Sequence, residues 1–144
     1  SEVIMRHRSW LFVLFFFMLP AVIAGCTPSK QVDYLSSEES EQVAQFTDPA
    51  ASNIITAIET NDYALFITDF DEKMREALTE KQFEAIVKMY GKNGAASSIS
   101  MLNVEDREQF YGVNYGVIYP KTSLNMLIVV SKSEPSLVSG LWFK

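Results

Sequence analysis

The sequence predicts an α+β domain in which about three N-terminal helices pack on one face of a curved, four-stranded antiparallel sheet. Apolar residues recur at steps of three and four as far as about Gly94, and at steps of two beyond it. All predicted helices therefore precede all predicted strands. Chains with this segregation typically place their helices on one face of an antiparallel sheet.

The first helix is expected to begin at Asp48 and Pro49 and to end near Asn61. Aspartate is a common N-cap residue. Proline suits the first helical position because its missing N–H would have no intrahelical partner there. One face of this helix carries three isoleucines, Ile54, Ile55 and Ile58.

Two further helical segments follow. Residues 62–78 carry apolar side chains at helical spacing, and Asp69 and Asp71, which flank Phe70, can divide this segment into two helices. Thr79 and Gln82 have the spacing of a capping box, which predicts the start of the next helix. The aromatic stripes on these helices are interpreted as core.

Four segments of alternating residues predict the strands: residues 98–104, 111–119, 124–130 and 137–143. The third is apolar on both faces, because Leu127 and Val129 alternate with four other apolar residues. Helices can cover only one of these faces. We therefore expect a second chain or a ligand on the face of Leu127 and Val129. The specific prediction is a homodimer.

Aromatic residues of the strands are the candidate ligand or interface residues. Tyr111, Tyr115 and Tyr119 share one face of the second strand with Val113 and Val117, and such an amphipathic ribbon can line a pocket or an interface. Trp142 in the last strand is the fourth candidate. Packing in the core or in a dimer contact is the alternative role for each of the four.

The N-terminal segment has the pattern of a lipoprotein signal peptide. Basic residues near Met5, a plausible start, precede the apolar run 10–18, and Pro20 interrupts the apolar segment beyond it. Ile23, Ala24 and Gly25 then lead to Cys26, the only cysteine of the chain. Small residues before such a cysteine fit a lipoprotein signal peptidase, so Cys26 is predicted to carry lipid. The alternatives are an uncleaved membrane anchor and a non-lipidated signal peptide cut near Ala24.

This interpretation divides the chain into three parts. Residues 1–25 are the signal peptide, and residues 26–47 are the lipidated cysteine and a polar tether, part of which can form a short helix. Residues 48–144 are the folded domain. Lipid would hold the mature protein on an extracytoplasmic membrane surface.

Composition excludes several functions for that mature chain. The signal peptide contains Glu2, Arg6 and Arg8, so its removal changes the net charge from −6 to −7. An acidic protein is a poor partner for nucleic acid. The only histidine, His7, lies in the signal peptide, and Cys26 would be acylated. Catalysis by histidine or thiol, a common metal site and a disulfide are therefore not expected, and no cofactor is predicted.

Several short motifs of the domain resemble a known family. They are Asp48 and Pro49, the stretch 61–63, Phe66, the stretch 70–74, the pair 78–79, Gly91, and the closing residues 139–143. Over residues 48–144 the chain resembles the uncharacterised domain of unknown function 3887 family. The resemblance implies the cystatin-like roll that is shared with nuclear transport factor 2. The family has no established catalytic residues, so none is transferred.

Three classes of function remain. The first is a non-catalytic binding or protein-interaction module displayed on a membrane. The second is a carrier of a small apolar ligand in the cavity that such rolls often enclose. The third is an isomerase or dehydratase, for which the implied fold uses an aspartate base and a tyrosine donor. Asp62 with Tyr63, or Asp69 with Tyr115, are the pairs considered for that role, although Asp62 is more simply an N-cap.

Overall fold

A computed structural model describes residues 31–144, so the signal peptide and Cys26 lie outside the described residues. Five strands and four helices follow in the order β1 (Asp33–Tyr34), α1 (Ser37–Thr60), α2 (Tyr63–Phe66), α3 (Glu72–Ala77), α4 (Glu80–Tyr90), β2 (Ser98–Arg107), β3 (Phe110–Ile118), β4 (Ser123–Ser131) and β5 (Val138–Phe143). The strands form one antiparallel sheet in sequence order. The predicted α+β class, with helices on one antiparallel sheet, is confirmed. The numbers of helices and strands differ from the prediction.

Helix α1 is the main difference. It begins at Ser37, where Ser36 and Glu39 form a capping box, and continues through Pro49. The predicted start at Asp48 and Pro49 is therefore wrong. A proline inside a helix costs about 3 kcal/mol. Packing outweighs this cost, because Val43 before the proline and Ala50 after it are both buried.

The short helices follow the sequence signals more closely. The segment 62–78 is divided into α2 and α3, with Asp62 and Asp71 as their N-caps. The Thr79 N–H donates to Gln82 Oε1 at 2.8 Å, in agreement with the predicted capping box. Helix α1 ends at Asn61, which adopts the left-handed conformation that asparagine tolerates well.

The core lies between α1 and the inner face of the sheet. The ring centroid of Phe66, on α2, lies 4.7 Å from that of the tilted Phe83 ring and 5.0 Å from that of Phe70, which it meets edge to face. An isolated parallel bridge between Phe70 and Val138 connects the α2–α3 segment to β5. The core residues contributed by the strands and by Tyr119, directly after β3, are Val104, Val113, Tyr115, Val117, Tyr119, Leu124, Met126, Ile128, Val130 and Val138.

The two faces of β4 are assigned as the sequence predicts. Leu124, Met126, Ile128 and Val130 belong to the core cluster. Leu127 and Val129 point to the opposite face, which we call the outer face. Both are buried within the single chain, with 7% and 8% of their surfaces exposed, so the expectation that a second chain or a ligand must cover these two residues is wrong. Across the sheet, Leu127 is paired with Asn114 and Trp142, and Val129 is paired with Gly112 and Gly140.

Candidate functional site

The four predicted aromatic residues do not form one site. Tyr115 and Tyr119 are buried against the helices, and Tyr111 is half-buried on the same inner face. Trp142 lies on the outer face with 51% of its surface exposed. The expectation that the tyrosines border the same surface as Leu127 is therefore wrong, because the sheet separates them.

Tyr115 connects the sheet to α1. Its hydroxyl lies 2.7 Å from both Asp48 Oδ1 and Thr47 Oγ1, while the Thr47 hydroxyl donates to the Val43 carbonyl at 3.0 Å. The hydroxyl has one proton, which these two acceptors share. Burial, together with the nearby Asp48 carboxylate, raises the pKa of Tyr115. Tyr115 is therefore a neutral hydrogen-bond donor with a structural role.

The aspartate–tyrosine pairs considered for catalysis are not formed. Asp62 accepts from the Leu65 N–H at 3.0 Å, as an N-cap does, and the Tyr63 hydroxyl donates to the Leu78 carbonyl at 2.8 Å. Asp69 accepts from the Asn53 amide at 2.9 Å. The carboxylate that does meet Tyr115 belongs to Asp48, whose residue is exposed.

Tyr119 is buried for a different reason. Only 3% of its surface is exposed, and its hydroxyl is the one buried side-chain polar atom of residues 31–144 without a hydrogen-bond partner. Burial raises the pKa of Tyr119, and the Glu59 carboxylate raises it further. A buried hydroxyl without a hydrogen-bond partner in the protein destabilises the fold.

Tyr111 borders an open groove of about 320 Å³ between the start of α1 and the β4–β5 loop. Lys132 Nζ lies 4.8 Å from the centroid of its ring and forms an ion pair with Asp106. The lysine charge therefore already interacts with the aspartate carboxylate and with the aromatic ring. The groove also contains the side chains of Glu39, Phe46 and Glu134.

The outer face carries the largest exposed apolar side chains of the sheet. Besides Trp142, Leu102, Phe110 and Ile118 are exposed there, at 56%, 37% and 46%. Glycines let side chains lie flat on this face. A Cβ at Gly140 would be 2.5 Å from Trp142 Cζ3, and one at Gly116 would be 3.3 Å from Leu102 Cδ2.

Charge is almost absent from the outer face. Strands β3, β4 and β5 contain no charged residue. On β2, the outward residues Glu105 and Arg107 form an ion pair at 2.5 Å, and Asn114 donates to Glu105 at 2.8 Å. Leu102, Phe110 and Ile118 were not predicted as site residues from the sequence. The alternation of Gly112 and Gly116 opposite the tyrosines was the available signal, because it leaves room on the middle of β3 for side chains of the neighbouring strands.

Among residues 31–144, no group of three metal-ligating side chains is placed to hold an ion, and no helix is long and apolar enough to cross a membrane. No family model, curated protein or solved structure matches the chain.

Proposed function

We propose that this chain is a membrane-anchored lipoprotein whose domain is a non-catalytic protein-interaction module. The observation that carries the proposal is the outer face, where Trp142, Leu102 and Ile118 are exposed on uncharged strands. Exposed aromatic and aliphatic side chains without charge are typical of the centre of a protein interface. Isolated exposed apolar residues are common, but a group of them on one sheet face indicates a binding surface.

A second copy of the chain is the partner that this face fits best. The whole chain has a net charge of −6, so two copies repel one another over most of their surfaces. On the outer face, the only charged residues of strands β2 to β5 are Glu105 and Arg107, which neutralise each other. Two outer faces therefore meet without like-charge repulsion and bury Trp142 and Leu102 of both copies.

Lipid on Cys26 would keep this module close to the bilayer. Asp33, the first residue of β1, lies seven positions after Cys26. An extended chain of that length spans about 25 Å. The tether is thus shorter than the sequence analysis expected, because α1 and β1 use much of it. Two anchored copies would be held in the same layer above the membrane, which favours their pairing.

We also propose that the domain has the cystatin-like roll fold. The helices on one face of an antiparallel meander support the cystatin-like roll and the resemblance to the domain of unknown function 3887 family. The carrier hypothesis has less support, since Tyr115 and Tyr119 are packed in the core between α1 and the sheet. The enzyme hypothesis also has less support, because Tyr115 is paired with an exposed carboxylate.

Light scattering on residues 27–144 tests the proposal. We expect a dimer at tens of micromolar, and a monomer for Trp142→Glu and for Leu102→Glu. Met89→Glu is the matched control, because Met89 is 57% exposed but lies on α4. A monomeric parent domain, or equal dissociation by all three variants, would contradict the proposed interface.

A further inference from the structure

The edge of the sheet at β2 is open over six residues. Strand β1 pairs with β2 only through Asp33 with Asp106 and Tyr34 with Glu105, and one further bond joins the Leu35 N–H to the Val104 carbonyl. Residues 98–103 pair with β3 on one side. In the part of the chain that the structure describes, no strand pairs with them on the other side.

This edge lacks most features that protect a free strand. Its residues, Ser98, Ile99, Ser100, Met101, Leu102 and Asn103, include no charged side chain and no proline. The one irregularity is a shift of register between Met101 and Asn103. Natural edge strands usually carry lysine, proline or a stronger distortion, because unpaired backbone groups recruit other strands. Residues 98–101 therefore remain a regular template for a further strand.

A groove runs beside this template on the side of the helices. It has a volume of about 280 Å³ and is lined by Asp48, Ser52, Ala96, Ser98, Ile99 and Tyr115. Side chains of an added strand alternate between the two sheet faces. Every second side chain of such a strand would therefore point toward this groove.

The charge of the groove is set by Asp48. Its Oδ1 lies 2.7 Å from the Tyr115 hydroxyl, which fixes the carboxylate at the mouth of the groove. The ion pairs found among residues 31–144 join Arg107 to Glu105 and Lys132 to Asp106, so no cation of this region neutralises Asp48. A basic side chain from outside would complement it.

We propose that residues 98–103 of β2 are a strand-addition site for an extended peptide segment of a partner protein, which places a lysine or arginine beside Asp48. Main-chain hydrogen bonds to the edge provide affinity, and the groove selects the basic side chain. The site rests on the proposed binding role of the domain, but it uses a different surface from the outer face.

Binding is measured by fluorescence anisotropy with the full-length chain in a mild non-ionic detergent. The probe is a fluorescein-labelled eight-residue peptide of alternating threonine and valine with one central lysine. A matched peptide carries glutamate in place of lysine. We expect the lysine peptide to bind at least about tenfold more tightly, since a charge-assisted hydrogen bond to Asp48 is replaced by repulsion.

Two protein variants distinguish a direct contact with Asp48 from a general effect of the negative charge of the protein. Asp48→Asn retains an acceptor for Tyr115 and should weaken binding of the lysine peptide about tenfold. Glu84→Gln removes the same charge from the exposed surface of α4 and should leave the affinity unchanged. Equal weakening by both variants, equal binding of both peptides, or no binding of the lysine peptide would overturn the proposal.

Backbone pairing is tested independently. Two forms of the lysine peptide are compared. One is N-methylated on the odd-numbered residues, and the other is N-methylated on the even-numbered residues. Strand addition requires that one form loses binding and the other retains it. Hydrogen exchange should slow within residues 98–103 when peptide is added. Equal binding of the two methylated forms would overturn the proposal. So would slowing at this edge caused by protein concentration alone, which would identify a second copy as the occupant.

The outer-face variant Trp142→Glu should retain its affinity for the lysine peptide. Loss of the dimer with retained peptide binding is the result expected for two separate surfaces. A variant that also loses the peptide would overturn the strand-addition site, whereas a variant that keeps both the dimer and the peptide would overturn only the outer-face interface.

Discussion

The indole of Trp142 lies so close to the backbone of Gly140 that a Cβ at residue 140 would be 2.5 Å from Cζ3 and 2.6 Å from Cη2. Both residues belong to β5, where the side chains of alternate residues emerge on the same face. The absent side chain at Gly140 creates the space that the indole occupies. This contact fixes the most prominent side chain of the outer face.

Gly140→Ala should displace the indole. The nearest atoms are the far end of the Trp142 side chain, so the ring moves toward solvent and the free energy of unfolding changes little, by about 1 kcal/mol or less. Trp142 is the only tryptophan of residues 27–144, so the emission maximum reports its position. We expect a red shift for Gly140→Ala and an unchanged spectrum for Gly116→Ala. An unshifted Gly140→Ala spectrum would contradict the contact.

Two tyrosine-to-phenylalanine substitutions should have opposite effects on stability. Tyr119→Phe removes a buried hydroxyl without a partner and should stabilise the domain by about 1 kcal/mol. Tyr115→Phe removes the hydrogen bond shared by Asp48 and Thr47 and should destabilise it by about 1–2 kcal/mol. Urea unfolding measures both values. Destabilisation by Tyr119→Phe would indicate that its hydroxyl has a partner.

Alkaline pH should destabilise the domain. The pKa values of Tyr115 and Tyr119 are raised in the folded state, so the folded protein retains protons that the unfolded chain releases above about pH 10. Ionisation of these two tyrosines therefore leaves stability unchanged below about pH 10, and stability decreases as the pH rises further. Absorbance of tyrosinate should show two of the six tyrosines ionising only as the domain unfolds. Ionisation of all six before unfolding would contradict this.

Cys26→Ser tests the membrane attachment. The variant should accumulate as an unprocessed precursor and incorporate no radiolabelled fatty acid, because the thiol that accepts lipid is missing. Thr27→Ser is the matched control, since it alters the neighbouring hydroxyl residue and keeps the thiol. Normal processing and labelling of Cys26→Ser would refute the lipoprotein proposal.

Sequence patterns predicted the elements whose signal is local. The change of period near Gly94 separated helices from strands, and the spacing of Thr79 and Gln82 predicted the start of α4. The course of α1 through Pro49 was not predicted, because the burial of Val43 that supports it depends on contacts with the rest of the core. Strand β1 is only two residues long, too short for any periodicity to appear.

The candidate site was predicted only in part, for a related reason. Alternation shows which residues of a strand share a face, and Tyr111, Tyr115 and Tyr119 do share one. It does not show which face meets the helices. The tyrosines therefore were assigned to a surface that they do not reach, while Trp142 occupies the opposite face. Burial of the central tyrosine against Thr47 is a contact between residues 68 positions apart, which no local pattern contains.

Dilution of residues 27–144, followed through Trp142 emission, tests most directly whether the outer face binds a second copy. A dimer that buries this face shields the indole, which is 51% exposed in the single chain. The emission maximum should therefore move to longer wavelength on dilution from tens of micromolar to nanomolar. The midpoint of this shift should match the monomer–dimer transition measured by light scattering. The Met89→Glu variant should show the same shift of the emission maximum. An emission maximum that is constant across this range, while the protein changes from dimer to monomer, would place the interface elsewhere.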